Sequence, residues 1–186
     1  MSGGDFPLPP MRRRRIYLVR HGHVSYYDAD GLPLNPKSAQ LTAEGEAQAR
    51  ATGDVLAGVS LDRVVCSGLV RTRRTAELVC GDRGLTIEEN SAFLEIRAGR
   101  LAGVPKERRL EDYVYGFTRA AEPDACFAGG DGFAAVRDRV VGGLEGLLAD
   151  PSWNRLALIA HDGVNRMVLS WACGGGLDLL CAFEQD

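Results

Sequence analysis

The stretch IYLVRHGHVS, residues 16 to 25, joins a short apolar run to a group of polar residues. The run Ile16–Val19 does not alternate between apolar and polar positions, which is typical of a strand covered on both faces. It ends at Arg20 and His21, and His23 follows after one glycine. The chain contains only three histidines, so two of them stand where this strand ends. That concentration of rare ionisable residues indicates a functional site at the end of a buried strand.

Two further apolar runs have the same character, Arg63–Cys66 and Leu156–Ala160. Segments with helical spacing separate or follow the three runs. Thr42 is a candidate N-cap for the first of these segments, and Pro151 follows the end of the third. The four predicted helices cover residues 41–59, 69–80, 132–149 and 164–173. Strands that alternate with helices predict an α/β fold of three layers, in which a mostly parallel central sheet is flanked by helices on both faces.

The helical spacing also predicts which side chains face the core, because residues three and four apart lie on one side of a helix. These are Ala47, Ala51 and Val55 in the first helix; Phe133, Val136, Val140, Leu144 and Leu147 in the third; and Met167, Val168 and Trp171 in the fourth.

The length of 186 residues is most simply that of one domain with a full hydrophobic core. Residues 1–15 read as a flexible lead-in that ends in the basic run Arg12–Arg15, which we expect to be solvated. A patch for nucleic acid or another anionic surface is the alternative for that run. Residues 16–186 are expected to form a single domain, with 97–130 as an irregular or helical excursion over the edge that carries the site.

The composition does not favour a nucleic-acid or membrane partner. The net charge is -3 and apolar residues make up 45% of the chain, close to an average globular protein. No apolar run is long enough to cross a bilayer. The five cysteines are odd in number and widely spaced, which favours reduced thiols in a cytoplasm over a disulfide framework.

The residues that follow the three predicted strands carry the chemistry. Ligands of open α/β sheets bind beyond the carboxyl ends of the strands. Arg20 and His21 follow the first run, Ser67 and then Arg71 follow the second, and His161 follows the third. Two imidazoles and two guanidiniums are therefore expected to meet at one edge.

Such a cluster is suited to phosphoryl transfer. Arg20 and Arg71 can hold phosphoryl oxygens bidentately, and a neutral imidazole of His21 can attack phosphorus to give a covalent intermediate. Gly22 lacks a side chain where the phosphate would approach the backbone. The leaving oxygen needs a proton, and Glu95 in FLEIRAGRLAG is the candidate acid. A nearby phosphoryl charge would raise the pKa of that carboxyl.

Four motifs in this order resemble those of the histidine phosphatase superfamily, which has the phosphoglycerate-mutase-like fold. They are Arg20-His21-Gly22 after a strand; Ser67, Arg71 and Thr75-Ala76; Glu95-Ile96 with Gly99 and Gly103; and His161 with Gly163. The segment LTAEGEAQA, residues 41–49, also resembles the family pattern that follows the first motif. The similarity spans Ile16 to about Trp171.

The resemblance implies a role for each of five residues. His21 is the expected nucleophile, Arg20, Arg71 and His161 are expected to bind the transferring phosphoryl group, and Glu95 is the expected proton donor that later helps to activate water. No metal and no other cofactor is implied. The expected partner is a small-molecule phosphate ester, and a homodimer is compatible with the assignment.

The chain departs from the family pattern beside its first and last motifs. Many members have Glu or Gln, then Ser or Thr, after Arg-His-Gly, and an Asn soon afterwards; here His23, Val24 and Tyr27 stand at those positions. Ser25 is a candidate replacement for the missing phosphate contact. Asp162 stands where a Gly usually follows the second His, and Asp131 stands where many members have Glu. The expected substrate-binding residues are Arg20, Gly22, His23, Ser25, Arg71, His161 and Asp162.

Four other functions compete with hydrolysis of a phosphate monoester. His21 and His23 resemble a pair of metal ligands, but only one further histidine exists and the two arginines would repel a cation. Phosphoglycerate-mutase-type transfer is the rival within the family, although the interval from Arg71 to His161 is short for it. A weakly active or regulatory phosphate-binding module would account for the altered positions after Gly22. A nucleic-acid role would rest on the basic run alone.

Overall fold

The computed structural model describes residues 13–32, 34–100, 104–109 and 116–183. Within them the chain forms four parallel strands and four α-helices that alternate as predicted, apart from one unpredicted strand. In chain order the elements are β1 (Arg15–Arg20), α1 (Ala43–Val55), β2 (Arg63–Cys66), α2 (Val70–Cys80), β3 (Ile87–Glu89), α3 (Phe133–Ala149), β4 (Arg155–Ala160) and α4 (Asp162–Ala172).

The strand order is β1-β4-β2-β3, and every pairing is parallel. β4 lies between β1 and β2, so the carboxyl ends of the three strands that were predicted from sequence are neighbours. Arg20 pairs with Ala160, and Cys66 pairs with Ile159. The residues that follow these strands therefore emerge side by side. β3 has three residues and two of them are glutamates, so no apolar run marked it in the sequence.

The sheet is covered on both faces, which confirms the three-layer α/β fold. One face of β4, including Leu156 and Leu158, packs in the larger core with residues of α3 and α4. The opposite face, including Ala157 and Ile159, packs in a second core with residues of α2. α1 lies against α2 on that side. Non-alternating apolar strands are the consequence of this burial on both faces.

The predicted core face of α1 is wrong. Val55 is 82% exposed, and Ala47 and Ala51 are exposed as well. The buried residues of the helix are instead Gly45 and Ala49. These small residues let the backbone of α1 approach its neighbours closely, so the face that packs is the one with the least apolar bulk. Thr42 is the N-cap as predicted, and its side chain accepts a hydrogen bond from the Gly45 N–H.

The two helices of the other layer follow the sequence pattern more closely. All five residues predicted to line the core face of α3 are buried. In α4, Met167 and Val168 are buried as predicted, whereas Trp171 is 36% exposed. The helix also begins at Asp162, two residues earlier than predicted. Asp162 suits a first turn because its charge complements the helix dipole and because it pairs with Arg166 one turn later.

The basic run at the start of β1 is only partly solvated. Arg13 is exposed, but Arg14 is half-buried and donates hydrogen bonds to backbone carbonyls at the end of α3. The expectation of a solvated run is therefore wrong for Arg14. The flexible lead-in predicted for residues 1–15 lies largely outside the described residues, as do parts of the excursion predicted for 97–130. The described parts of 97–130 include the 3-10 segments Lys106–Arg108 and Phe127–Gly129.

None of the helices in the described residues has the length and apolar character that a membrane span needs. All five cysteines are unpaired thiols, and Cys66 and Cys80 are buried.

Candidate active site

The carboxyl ends of β1, β4 and β2 bring together the residues predicted to carry the chemistry. His21 and His161 follow β1 and β4, and their ring centroids are 5.1 Å apart. Arg71 lies in the first turn of α2, after β2, and reaches both rings. Arg20 is exposed at the end of β1, and its charge acts on both imidazoles. The two guanidiniums and two imidazoles therefore form one cluster, as predicted.

The guanidinium of Arg71 is held by acceptors on all three of its nitrogen atoms. Nε donates to His21 Nε2 at 3.1 Å, Nη1 donates to the Pro36 carbonyl at 2.7 Å, and Nη2 lies 3.5 Å from His161 Nδ1. The residue is only 4% exposed. Its cation is thus fixed in one orientation beside both imidazoles, which is what planar recognition of an oxyanion requires.

The hydrogen bonds of His21 define its tautomer. Nδ1 lies 2.8 Å from the Gly22 carbonyl oxygen, which can only accept, so Nδ1 carries the proton. Nε2 accepts from Arg71 Nε, so its single lone pair is directed at the guanidinium. The pKa of His21 is lowered to about 4, chiefly by burial and in smaller part by the charges of Arg71 and Arg20, against the opposing effect of the Gly22 hydrogen bond. The imidazole is therefore neutral at pH 7 and can act as a nucleophile.

Gly22 lies at the contact between the end of β1, α1 and α2. Its N–H donates to Thr75 Oγ1 at 3.1 Å, and Thr75 Oγ1 donates to the Arg71 carbonyl at 2.8 Å. A Cβ on Gly22 would lie 2.2 Å from the Gly45 carbonyl oxygen, which no side chain could tolerate. The glycine is thus needed for the close approach of α1 to the end of β1. Thr75 ties that end to α2.

The carboxyl group of Glu95 lies at the start of α4, the helix that directly follows His161 in the chain. Oε2 accepts from the Gly163 N–H at 3.3 Å, and Oε1 accepts from the Ile96 N–H at 2.9 Å. A Cβ on Gly163 would lie 2.7 Å from Oε1, so the glycine makes this position available. The pKa of Glu95 is raised to about 7, chiefly by burial and in smaller part by the charge of Asp162, against the two backbone hydrogen bonds and the charge of Arg71. The carboxyl group can therefore carry a proton near neutral pH.

The loop of Glu95 is held by Arg139 and by the pair Arg97 and Asp131, which the sequence did not assign to the site. Arg139 of α3 donates to the carbonyls of Ser91, Ala92 and Leu94, directly before Glu95. Just after it, the Arg97 side chain donates twice to Asp131, whose carboxylate also accepts from the Arg97 N–H. In the sequence Arg139 read as an ordinary residue of an amphipathic helix, and nothing in the helical period marks a contact with a distant loop.

The structure uses three of the predicted substrate-binding residues for contacts within the protein. His23 is exposed, and its Nδ1 lies 2.9 Å from Thr42 Oγ1. The Ser25 hydroxyl donates to the Tyr27 carbonyl at 2.6 Å and accepts from the Tyr27 N–H, so it serves a turn of its own loop. Asp162 accepts from Arg166 Nε with both carboxylate oxygens at 3.0 Å.

A cavity of about 660 Å³ opens at the end of β1 and extends along α1. Its lining includes Arg20, His21, Gly22, His23 and Tyr26. His23 therefore lies on the rim that leads to His21, whereas Ser25 and Asp162 are not part of this lining. His161 is 0% exposed, and the lining of this cavity includes His21 but not Arg71, Glu95 or His161.

Among the described residues, which include all three histidines, no group of three or more His, Cys, Asp or Glu side chains is arranged to hold a metal ion. His21 and His23 are both engaged elsewhere, with Gly22 and Thr42 respectively.

Comparisons with known proteins agree with this geometry. The chain is 32% identical over 178 residues to 2-carboxy-D-arabinitol-1-phosphatase of Triticum aestivum. The aligned region covers 92% of this chain but only 35% of the wheat protein. It is 29% identical over 153 residues to the protein named probable phosphoglycerate mutase GpmB of Salmonella choleraesuis, covering 79% of this chain and 69% of the relative. The solved structure of the α-ribazole phosphatase from Shigella flexneri matches with a TM-score of 0.72 at 28% identity, covering 92% of this chain and 85% of the other.

The model of one protein family matches residues 16–186, which include every strand and helix described above except the first residue of β1. The match contains all four residues of the imidazole and guanidinium cluster together with Glu95. The chain therefore belongs to the histidine phosphatase superfamily, branch 1.

Proposed function

We propose that the protein is a metal-independent phosphomonoester hydrolase that works through a phosphohistidine intermediate on His21. The observation that carries the proposal is the state of that ring. Its Nδ1 proton is bound to the Gly22 carbonyl, and its Nε2 lone pair lies beside the Arg71 guanidinium. A neutral nucleophile next to a fixed cation is what in-line attack on a phosphoryl dianion needs, since the cation attracts the phosphoryl oxygens to the attacking atom.

In the first step, Nε2 of His21 attacks phosphorus and the bond from phosphorus to the ester oxygen breaks. The guanidiniums of Arg71 and Arg20 supply positive charge to the phosphoryl oxygens, the task that Mg²⁺ performs in other phosphoryl-transfer enzymes. Glu95, with its pKa raised by burial, donates its proton to the leaving oxygen. The products are an alcohol and phosphohistidine.

In the second step, water attacks the phosphorus of phosphohistidine and the bond from phosphorus to His21 Nε2 breaks. Glu95, now ionised, accepts a proton from that water, so the same carboxyl group serves as acid and then as base. Phosphate leaves, and His21 and Glu95 return to their starting states. Over the two steps the ester and one water molecule are consumed, and no step requires a redox change.

Hydrolysis is favoured over transfer to a second substrate. The wheat relative and the Shigella structure both bear phosphatase names, whereas the Salmonella relative bears a mutase name. The interval between Arg71 and His161 is short, which leaves little chain to shield phosphohistidine from water. We propose a small-molecule phosphate ester as the substrate class. A mutase would instead pass the phosphoryl group to a second hydroxyl with little release of phosphate.

A phosphate-release screen over a broad panel of monoesters tests the proposal. We expect turnover that EDTA does not reduce, and no turnover by His21→Ala. Arg71→Ala should lower kcat/KM by about 10²–10³, by analogy with the loss of one oxyanion donor. Arg74→Ala is the matched control on the same helix, because Arg74 pairs with Glu46 and Glu77 away from the site.

Unchanged turnover in His21→Ala would overturn the mechanism. Activity abolished by EDTA and restored by a divalent cation would overturn the metal-independent part. Wild-type protein that releases phosphate from no ester on the panel would favour a phosphate-binding module over an enzyme.

A further inference from the structure

The His161 ring is wholly buried, and both of its nitrogens have partners. Nε2 lies 2.9 Å from Ser67 Oγ, and Nδ1 lies 3.5 Å from Arg71 Nη2. Ser67 Oγ lies 2.9 Å from Thr72 Oγ1, which in turn lies 2.8 Å from the Leu69 carbonyl oxygen. Ser67 and Thr72 are 3% and 0% exposed, so solvent does not interrupt this series. Four groups thus form one buried chain of hydrogen bonds that ends at a backbone carbonyl.

The number of protons in the chain fixes the direction of every bond. A carbonyl oxygen can only accept, so the Thr72 hydroxyl donates its single proton to Leu69. Ser67 must then donate its own proton to Thr72 Oγ1, since Thr72 has none left. The bond between Ser67 and His161 therefore requires Nε2–H as the donor. Nδ1 of a neutral His161 is left with a lone pair, and that lone pair faces the Nη2 donor of Arg71.

We propose that Ser67 and Thr72 are positioning residues, which form a hydroxyl relay that holds His161 in its Nε2–H tautomer and thereby keeps an acceptor on Arg71. The relay acts on Arg71 through His161 and does not touch the substrate. The predicted effect of the relay on kcat/KM rests on the proposed function, whereas the predicted tautomer of His161 does not. The sequence pattern did not indicate it, because Thr72 occupies an ordinary helical position beside the arginine.

The charges around His161 agree with a neutral ring in the free protein. The charged groups that act on it are Arg71, Arg139 and Arg20. Burial lowers the pKa of His161 far below its usual value, and these neighbours lower it further. Two neutral tautomers then remain, and only Nε2–H satisfies both Ser67 and Arg71. The other tautomer would point an N–H at a guanidinium N–H.

The ¹⁵N NMR spectrum of imidazole-labelled protein can test the relay directly. Protonated and unprotonated ring nitrogens are well separated in such spectra, and the chain has only three histidines to assign. We expect wild-type His161 to show Nε2–H and an unprotonated Nδ1. His21 should show the reverse, with the proton on Nδ1, so the same spectrum contains an internal reference.

Thr72→Val removes the hydroxyl and keeps the shape of the side chain. Ser67 then has no acceptor at that position and turns its proton toward His161 Nε2, which transfers the ring proton to Nδ1. Arg71 loses an acceptor, and we expect kcat/KM to fall on the order of tenfold, as is typical when an outer partner of a functional ligand is removed. Thr72→Ser keeps a hydroxyl at this position, so we expect it to retain both the Nε2–H signal and the activity that Thr72→Val loses.

Ser170→Ala is the matched control, because the Ser170 hydroxyl is also buried and donates to the Gly176 carbonyl at 2.7 Å, at the far end of α4. It should leave the His161 signals and kcat/KM unchanged. A wild-type spectrum with the proton on Nδ1, or a folded Thr72→Val protein that keeps a pure Nε2–H signal, would overturn the relay. A correct spectrum without phosphatase activity would overturn the proposed function alone.

Discussion

His21 and Glu95 show how burial prepares two groups of opposite charge type for one reaction. Burial disfavours the charged form of either group, so it lowers the pKa of the imidazole to about 4 and raises that of the carboxyl to about 7. Between these values the imidazole is neutral and the carboxyl is protonated. The nucleophile and the acid are therefore both in their active forms over the same pH range, and the chief cause is the burial of His21 at the end of β1 and of Glu95 in its loop.

We expect kcat/KM for an alkyl phosphate to follow a bell-shaped pH profile. It should rise through pH values near 4 as His21 loses its proton, and it should fall above about 7 as Glu95 loses its own. Initial rates measured at low substrate concentration give this profile, which reports the pKa values of the free enzyme.

Glu95→Gln separates the enzyme's titration from that of the substrate. The limb that belongs to Glu95 should disappear in this variant, whereas any limb from the ester's own ionisation remains. A falling limb near pH 7 that is identical in the wild type and Glu95→Gln would refute the assignment of Glu95 as the acid.

At the level of elements, α1 and α3 illustrate two ways in which a helix reaches the core. α3 buries a regular series of large apolar residues, so its spacing predicted the correct face. α1 packs through Gly45 and Ala49, and a Cβ on Gly45 would lie 2.1 Å from the His23 carbonyl oxygen. The periodicity of a sequence shows where large apolar side chains recur. The contact of α1 depends instead on small residues, so the sequence indicated the wrong face.

Arg14 connects the start of β1 to the end of α3. Its guanidinium donates to the carbonyls of Leu147, Leu148, Asp150 and Trp153, and it lies 3.6 Å from the centre of the Trp153 ring. The last carbonyls of a helix have no partner within the helix, so a cation at this position satisfies several of them at once.

Arg14→Ala should lower the free energy of unfolding by about 2–3 kcal/mol, from the loss of charged hydrogen bonds and of the stacking on Trp153. Urea unfolding followed by circular dichroism would measure it. Arg13→Ala is the matched control, because Arg13 is exposed, and it should change stability by less than about 0.5 kcal/mol. Equal stability of the two variants would show that the contacts of Arg14 contribute nothing.

For the whole molecule, the sequence predicted what depends on the order of strands and on short motifs. Three apolar runs predicted three adjacent parallel strands, and the residues after them do meet around Arg71. The sequence did not indicate the hydrogen bonds of Ser67 and Thr72, because contacts between polar side chains leave no periodic pattern. It also did not indicate that Arg139 supports the Glu95 loop, because the two segments are far apart in the chain. The sequence also did not indicate the packing of α1 against Gly22, which depends on a backbone contact with Gly45.

The most direct test of the account is the identity of the atom that carries the phosphoryl group. Glu95→Gln should accumulate the covalent intermediate when it is mixed with an aryl phosphate, since the aryl leaving group needs no acid and the hydrolysis of phosphohistidine lacks its base. Rapid quenching in denaturant at alkaline pH followed by mass spectrometry would detect and map it. We predict one phosphoryl group per chain, located on His21 and absent from the double variant with His21→Ala. Phosphate release without any phosphorylated protein, or a phosphoryl group on His23 or His161, would contradict the account.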